Sequence, residues 1–309
     1  MSALTISAEP TLLGRSNLRS SPIAYGLWRF AGTDLKTAEE KIEVALNSGI
    51  TLFDQADVYG VDGGGAFGDS EKLFGDVLRA NPSLRAKMVI ASKGGIVLGV
   101  PYDSSAAYLK QACEASLSRM QIETIDLYQI HRPDFLGHPA EIASALTDLR
   151  ASGKIREVGV SNYTPSQFRA LQAHLDFPIA THQPEFSCLQ YSPLKDGILD
   201  QCLEYGVTPL AWSPMGGGRL GWSIEQAQAQ GEQRVANVLK ELDAIAQAQG
   251  VSRSAVALAW LMVHPTKVIP IIGTQTCSRI LESAQALKVK LTRADWNRIL
   301  EASMGESLP

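Results

Sequence analysis

Eight short apolar or β-branched runs recur along the chain with amphipathic stretches of helix length between them, and this alternation limits the fold more than any other feature. In order they are "IAYGLW", "TLFDQAD", "MVIASKGG", "IDLYQIH", "EVGVSN", "ATHQPEF", "VTPLAWSPM" and "KVIPIIG". The patterns between them include "DLKTAEEKIEVALNSG", "DSEKLFGDVLRA", "SSAAYLKQACEASLSRM", "HPAEIASALTDLRASG" and "TPSQFRALQAHL", several closed by glycine as helix C-termini often are. Strand then helix, repeated, demands parallel strands, because a parallel neighbour is reached only through a crossover. A doubly wound open sheet shares this local pattern, but eight units favour a closed (β/α)8 TIM barrel. No low-complexity linker or compositional shift divides the 309 residues, so one barrel domain over 1–309 is expected. The spacing breaks only before "KVIPIIG", where "GGGRLGWSIEQAQAQGEQ" and two further helical patterns intervene. That insertion reads as a candidate mobile loop over the barrel mouth.

The overall charge narrows the partners. A formal net charge of −4 with 19% charged residues offers no electrostatic footprint for nucleic acid or anionic lipid. The N-terminal stretch lacks a basic start followed by an apolar core, and the longest apolar run, "AVALAWLMV", is far short of the ~20 residues of a bilayer span. A cytoplasmic protein acting on a small molecule, with no nucleic-acid or membrane partner, is expected as a monomer or small homo-oligomer. Cys113, Cys188, Cys202 and Cys277 are scattered without C-x-x-C spacing, which suggests neither a disulfide framework nor a thiolate metal site.

The segment "DVYGVDGGGAFGDSEKLFG" contains a G-x-G-x-x-G match, Gly63 to Gly68, between a strand-like run and a helical one. In a dinucleotide-binding turn an acidic residue about 20 positions on holds the ribose. Here Val77 to Tyr102 contains no Asp or Glu, and the match follows the second strand instead of opening the first βαβ unit. It reads as a glycine-rich surface loop.

Polar residues at strand ends are the stronger signal. Asp54 lies in the second run with Tyr59 just after it, Lys93 ends the third, His131 the fourth, Ser161 and Asn162 the fifth, and Gln183 lies in the sixth. In a barrel the C-terminal strand edges form one rim where catalytic residues from different strands converge. One such residue is an ordinary buried polar group; several together point to a site.

At these residues the chain resembles the aldo-keto reductase family, over nearly its full length, through "LFDQADVYG", "SEKLFG", "VIASKGG", "LYQIHRPD", "GKIREVGVSNYT", "HQPEFS", "AWSPMGGG" and "IPIIGTQTCSRILES". The resemblance implies a (β/α)8 barrel that binds NADPH, with NADH as the alternative, in extended form across its mouth, and reversibly reduces aldehydes or ketones to alcohols. Hydride would come from nicotinamide C4 and a proton from Tyr59. A free phenol, with a pKa of about 10, is a sluggish acid at neutral pH. Lys93 is therefore expected to lower it, with Asp54 holding the ammonium and His131 orienting the carbonyl. Ser161, Asn162 and Gln183 match the positions holding the nicotinamide carboxamide, and Trp212 matches an aromatic position, commonly tyrosine, that stacks on the ring. Ser213, Pro214, Met215 and Gly217 match the loop around the pyrophosphate. Thr274 and Arg279 match adenosine 2′-phosphate contacts, and Glu282 an adenine contact. Gly273 stands where many members carry lysine, and Ser283 where many carry asparagine.

Trp28, Phe67 and Trp222 are the candidate substrate-lining residues, suited to aromatic or bulky carbonyls. Arg29, Arg132 and Arg219 stand within reach without forming a basic cluster. Two other classes are weighed. "HRPD" and "SPM" resemble the β-subunits of voltage-gated potassium channels, which implies a nucleotide-binding regulatory subunit of the same fold. A metal-dependent barrel hydrolase would use His131, His182, Lys93 and Asp54, but "IAYGLWRF" has no H-x-H pair, so no metal is expected.

Overall fold

The computed structural model describes residues 3–309. Each of the eight runs supplies one strand of a closed parallel barrel: β1 Ala24–Gly26, β2 Leu52–Asp54, β3 Val89–Gly94, β4 Ile125–Ile130, β5 Ile155–Ser161, β6 Thr181–Gln183, β7 Thr208–Ala211 and β8 Ile269–Ile272. Ile271 pairs with Ala24 and Ile272 with Tyr25, which closes β8 on β1. The fold is the (β/α)8 TIM barrel that the alternation implied.

The outer ring comprises α1 Leu35–Asn47, α2 Asp69–Ala80, α3 Ala106–Met120, α4 Pro139–Ala151, α5 Pro165–Gln172, α6 Ile198–Tyr205, α7 Ile224–Ala229, α8 Gln233–Gln249, α9 Arg253–Met262 and α10 Cys277–Ser283, followed by the C-terminal α11 Arg293–Met304. Side-chain caps set several starts. Asp34 accepts from Thr37 N, Ser105 from Tyr108 N and Ser252 from Ala255 N, while Thr164 and Gln167 form a reciprocal capping box.

Strand alternation divides the core in two. Outward residues such as Phe53, Ile90, Tyr128 and Val160 pack under the helices. Leu52, Val89, Ala91, Leu127, Leu210, Ile269 and Ile271 instead share a cluster inside the barrel. That inner cluster is completed by Leu13 and Leu18, from an antiparallel hairpin that pairs Thr11–Leu12 with Arg19–Ser20. Gly14, at φ +58°, turns the hairpin so tightly onto the residue before β6 that a Cβ would lie 2.4 Å from Ala180 O. Its N–H donates to Thr208 Oγ1 at 2.8 Å. The hairpin thus stops the N-terminal end of the barrel.

The segment read as a candidate mobile loop is anchored. A 3-10 stretch over Gly216–Gly221 and the short α7 bury Leu220 and Ala227. Arg253, at the start of α9, donates to the carbonyls of Leu220 and Trp222 and forms a two-pronged ion pair with Asp243 at 2.6 Å for each prong. Among the described residues, no helix is long and apolar enough to cross a membrane.

Candidate active site

The period of two that builds the inner core also builds the site. Going up β2, β3 and β4, the inward residues pass from Leu52, Val89 and Leu127 to Asp54, Lys93 and Gln129, with Gln183 inward on β6. The apolar floor therefore gives way to a polar layer at the C-terminal rim. Lys93 is fully buried, and its Nζ donates to Asp54 Oδ2 at 2.6 Å, Gln55 O at 2.9 Å and Tyr59 OH at 3.0 Å. All three ammonium hydrogens are used. Asp54 Oδ1 accepts from Gln183 at 3.0 Å and Gln129 at 3.2 Å, so the buried ion pair is satisfied on both sides. His131, one step beyond β4, sets its ring edge-on to Tyr59 with centroids 5.8 Å apart.

Burial governs the proton positions. It pulls Lys93 down, but Asp54 and then Tyr59 more than offset this, and the group stays an ammonium. Tyr59 departs from expectation. Enclosure raises its pKa, and Lys93 only partly opposes this because Asp54 pushes the other way. The result is a phenol that keeps its proton. Burial, then the charges of Lys93 and Arg132, pushes His131 well below its ordinary value, so its imidazole is neutral near pH 7.

A second chain of hydrogen bonds leads away from Asp54. Ser161 Oγ donates to Gln183 O at 2.9 Å, Asn162 Nδ2 to Ser161 Oγ at 2.7 Å, and Trp212 Nε1 to Asn162 Oδ1 at 2.9 Å. Asn162 adopts the left-handed φ of 57° that aims its amide across the rim. The Arg132 guanidinium lies 5.4 Å from the Trp212 ring centroid. Beyond Trp212, Ser213 has φ 54°, and Gly216, Gly217 and Gly218 follow with positive φ. Ser213 O and Met215 O accept from Gly216 N and Gly218 N around Pro214, and a Cβ at Gly217 or Gly218 would meet nothing within 4 Å. The backbone there is open to close approach.

After β8, Gly273 is open, Thr274 Oγ1 accepts from Thr276 N at 3.3 Å, and Glu282 is half-buried. Arg279 is exposed and has no acidic partner within ion-pair distance among the described residues. Ser283 differs: it is buried, and its hydroxyl donates to Ile280 O at 2.6 Å, turned into its own helix.

A model of the aldo/keto reductase family matches residues 22–303. The chain belongs to that family. Similar proteins include a 6-dehydroglucose reductase of Novosphingobium aromaticivorans, 48% identical over all of both chains. Another, from Agrobacterium fabrum, is 39% identical over 94% of this chain and 97% of that one, and the oxidoreductase YdhF of Escherichia coli is 36% identical over 94% and 95%. Among solved structures, the thermostable aldo-keto reductase Tm1743 in complex with the inhibitor epalrestat superposes with a TM-score of 0.78 at 24% identity, covering 95% of this chain and 99% of that one. The protein is an oxidoreductase enzyme, of a family that reduces carbonyls with nicotinamide cofactors.

Around the reductase mouth, the three aromatic residues read as substrate-lining part company. Trp28, just past β1, remains 43% exposed, and its Nε1 donates to Asp62 Oδ2 at 2.6 Å. Trp222 is half-buried within the anchored segment after β7, where its carbonyl accepts from Arg253. Phe67 lies with its ring centroid 5.8 Å from the Arg119 guanidinium, which pairs with Glu71 between the barrel and its helices. The structure thus brings Phe67 to the α2–α3 layer. The glycines 63–65 are exposed, in a loop closed by Gly65 N to Gly60 O and by Ala66 N to Asp69 Oδ2. His182 points outward, stacked on Phe168, away from Asp54 and Lys93, so the hydrolase reading loses a ligand. Gln129 was missed in the sequence, although it sits on the inward register between Leu127 and His131.

Proposed function

We propose that the protein reduces an aldehyde or ketone to an alcohol with NADPH, Tyr59 giving its proton to the carbonyl oxygen. The observation that carries the reading is the Tyr59 hydroxyl 3.0 Å from a Lys93 ammonium that Asp54 holds at 2.6 Å, at the mouth of a barrel of this family. The residues present suit the cofactor. The Asn162 amide and Ser161 hydroxyl lie in a chain running from the Gln183 backbone carbonyl to the Trp212 indole, the open backbone at Gly217 and Gly218 suits a diphosphate, and Arg279, without an acidic partner among the described residues, suits a further phosphate. Thr274 and Glu282 flank that guanidinium in sequence. Bound there, the reduced nicotinamide supplies hydride to the carbonyl carbon.

The chain's own residues handle the oxygen. His131, neutral and with its Nδ1 buried, donates a hydrogen bond that fixes the carbonyl without adding charge. As negative charge grows on oxygen, the Tyr59 proton moves across, and Lys93 stabilises the phenolate left behind. A raised pKa in the resting site keeps the donor loaded; the adjacent ammonium lowers the cost of releasing its proton. The relatives named 6-dehydroglucose reductase make an oxidised hexose the first substrate to test.

The test is cofactor oxidation with a reactive aldehyde, comparing wild type with Tyr59→Phe. Turnover is expected to fall by about 10²–10⁴ while NADPH still binds, the range for loss of a positioned acid. Binding without turnover in the wild type would favour a regulatory role; absence of binding would overturn the cofactor assignment. Arg279→Ala is expected to weaken NADPH but not NADH, and an unchanged preference would remove Arg279 from the site.

A further inference from the structure

The glycine-rich connection after Tyr59 does something that phosphate binding does not explain: it reaches over to the neighbouring β1 end and holds Trp28. Both partners branch from backbone next to the Asp54–Tyr59–Lys93 cluster. Leu27 N donates to Asp54 O at 2.9 Å, which places Trp28 one residue from that anchor, and Asp62 lies three residues beyond Tyr59. The base of the loop is tightly defined. Gly60 has φ 128°, and a Cβ there would lie 2.4 Å from Ala66 O. Its tip is open, since a Cβ at Gly63 or Gly64 would meet nothing within 4 Å. The bond from Trp28 Nε1 to Asp62 Oδ2 joins this tip to the end of β1. Both residues are exposed, so the contact adds little to folding stability; its effect is to hold an indole plane in place.

The surroundings specify what that plane suits. The Arg29 guanidinium lies over the Trp28 ring, 4.6 Å from its centroid, and covers one face, while Asp62 holds the Nε1 edge and the opposite face is left for a ligand. Asp62 Oδ1 has no hydrogen-bond partner among the described residues. The electron-rich face of an indole packs against weakly positive C–H groups, and a carboxylate accepts hydroxyl hydrogens strongly. An aromatic face backed by a cation and edged by a carboxylate fits an uncharged, polyhydroxylated ligand better than an anion or a bare hydrocarbon.

We propose that Asp62 is a specificity-determining residue that latches Trp28 into a sugar-binding sub-site, gripping the ring of a hexose whose terminal aldehyde is presented to Tyr59 and His131. The inference rests on the carbonyl-reductase reading and assigns residues of this chain to holding the oxidised hexose considered there.

The experiment is steady-state kinetics of the NADPH-loaded enzyme on two aldehydes, butanal and a hexose oxidised to the aldehyde at C6, for wild type, Asp62→Ala, Asp62→Asn and Trp28→Ala. For Asp62→Ala and Trp28→Ala, the ratio of kcat/KM for the sugar aldehyde to that for butanal is expected to fall roughly tenfold or more, mainly through KM, the size of effect that loss of a charged hydrogen bond produces. Asp62→Asn, which keeps an oxygen for the indole N–H, is expected to recover part of the ratio. Equal losses on both aldehydes, or an unchanged ratio in folded variants that still bind NADPH, would overturn the sub-site. Wild-type turnover of butanal without turnover of the sugar aldehyde would also overturn it while leaving the reductase reading in place. No turnover of either aldehyde would overturn both.

Discussion

Lys93 is the residue on which the site turns, because its three hydrogens tie β3 to Asp54, to the backbone at Gln55 and to Tyr59. Asp54→Ala would leave a buried ammonium facing only a carbonyl and a hydroxyl. We expect it to destabilise the fold by about 3–5 kcal/mol, measured by denaturant melts, with reduction also impaired. The raised Tyr59 and depressed His131 have a shared consequence for pH. The proposed donor stays protonated and the imidazole stays neutral across the neutral range. Reduction should then be flat with pH there and decline only as the phenol loses its proton, above the ordinary tyrosine value of about 10. A profile of kcat that falls between pH 7 and 8 would contradict this assignment. Asp54, Lys93 and His131 were legible in the sequence as polar groups breaking apolar runs. Gln129 was not, because a glutamine inside "LYQIH" looks like any satisfied strand amide until closure of the barrel brings β2 and β6 to it. The direction of the Tyr59 shift was also out of reach, since it depends on enclosure by several chain segments.

At the scale of elements, β5 shows how closely the polar layer is fitted. Gly159 faces inward, and a Cβ there would come within 2.2 Å of Thr181 Oγ1 and 2.9 Å of Gln129 Cγ. Gly159→Ala should cost about 1–3 kcal/mol through overpacking, lowering the melting temperature, and should disturb the amide that supports Asp54. Thr164→Ala, by contrast, removes one half of the α5 capping box and should cost about 1 kcal/mol with no change in activity. The eight strands were readable because each is an apolar run with a helix-length pattern between it and the next. The hairpin of Thr11–Leu12 and Arg19–Ser20 was not, because two-residue strands carry no periodicity. The contacts that hold the strap after β7 were hidden for a related reason. Its glycines and polar residues do not announce that Leu220 and Ala227 are buried and that the distant Arg253 donates to its carbonyls.

Over the whole molecule, the division of the core decides how acid acts. His182 is buried on the outer face of β6, and burial pulls its pKa down to about 4. An unfolded chain would protonate it near 6.5, so between these values the unfolded state binds more protons and stability drops as pH falls. The loss at pH 4 is on the order of 3 kcal/mol, and His182→Phe, which preserves the stack on Phe168, should shrink the fall in melting temperature between pH 6.5 and 4, with the likewise depressed His131 and His264 supplying what remains. The inner core has a different consequence. With Leu13 and Leu18 seated against Leu52, Leu127 and Ile269, the N-terminal end of the barrel is stoppered. Among the described residues the N-terminal end gives no way to the polar layer, so substrate and product of the proposed reduction would share the rim, and product lingering there would slow the next arrival.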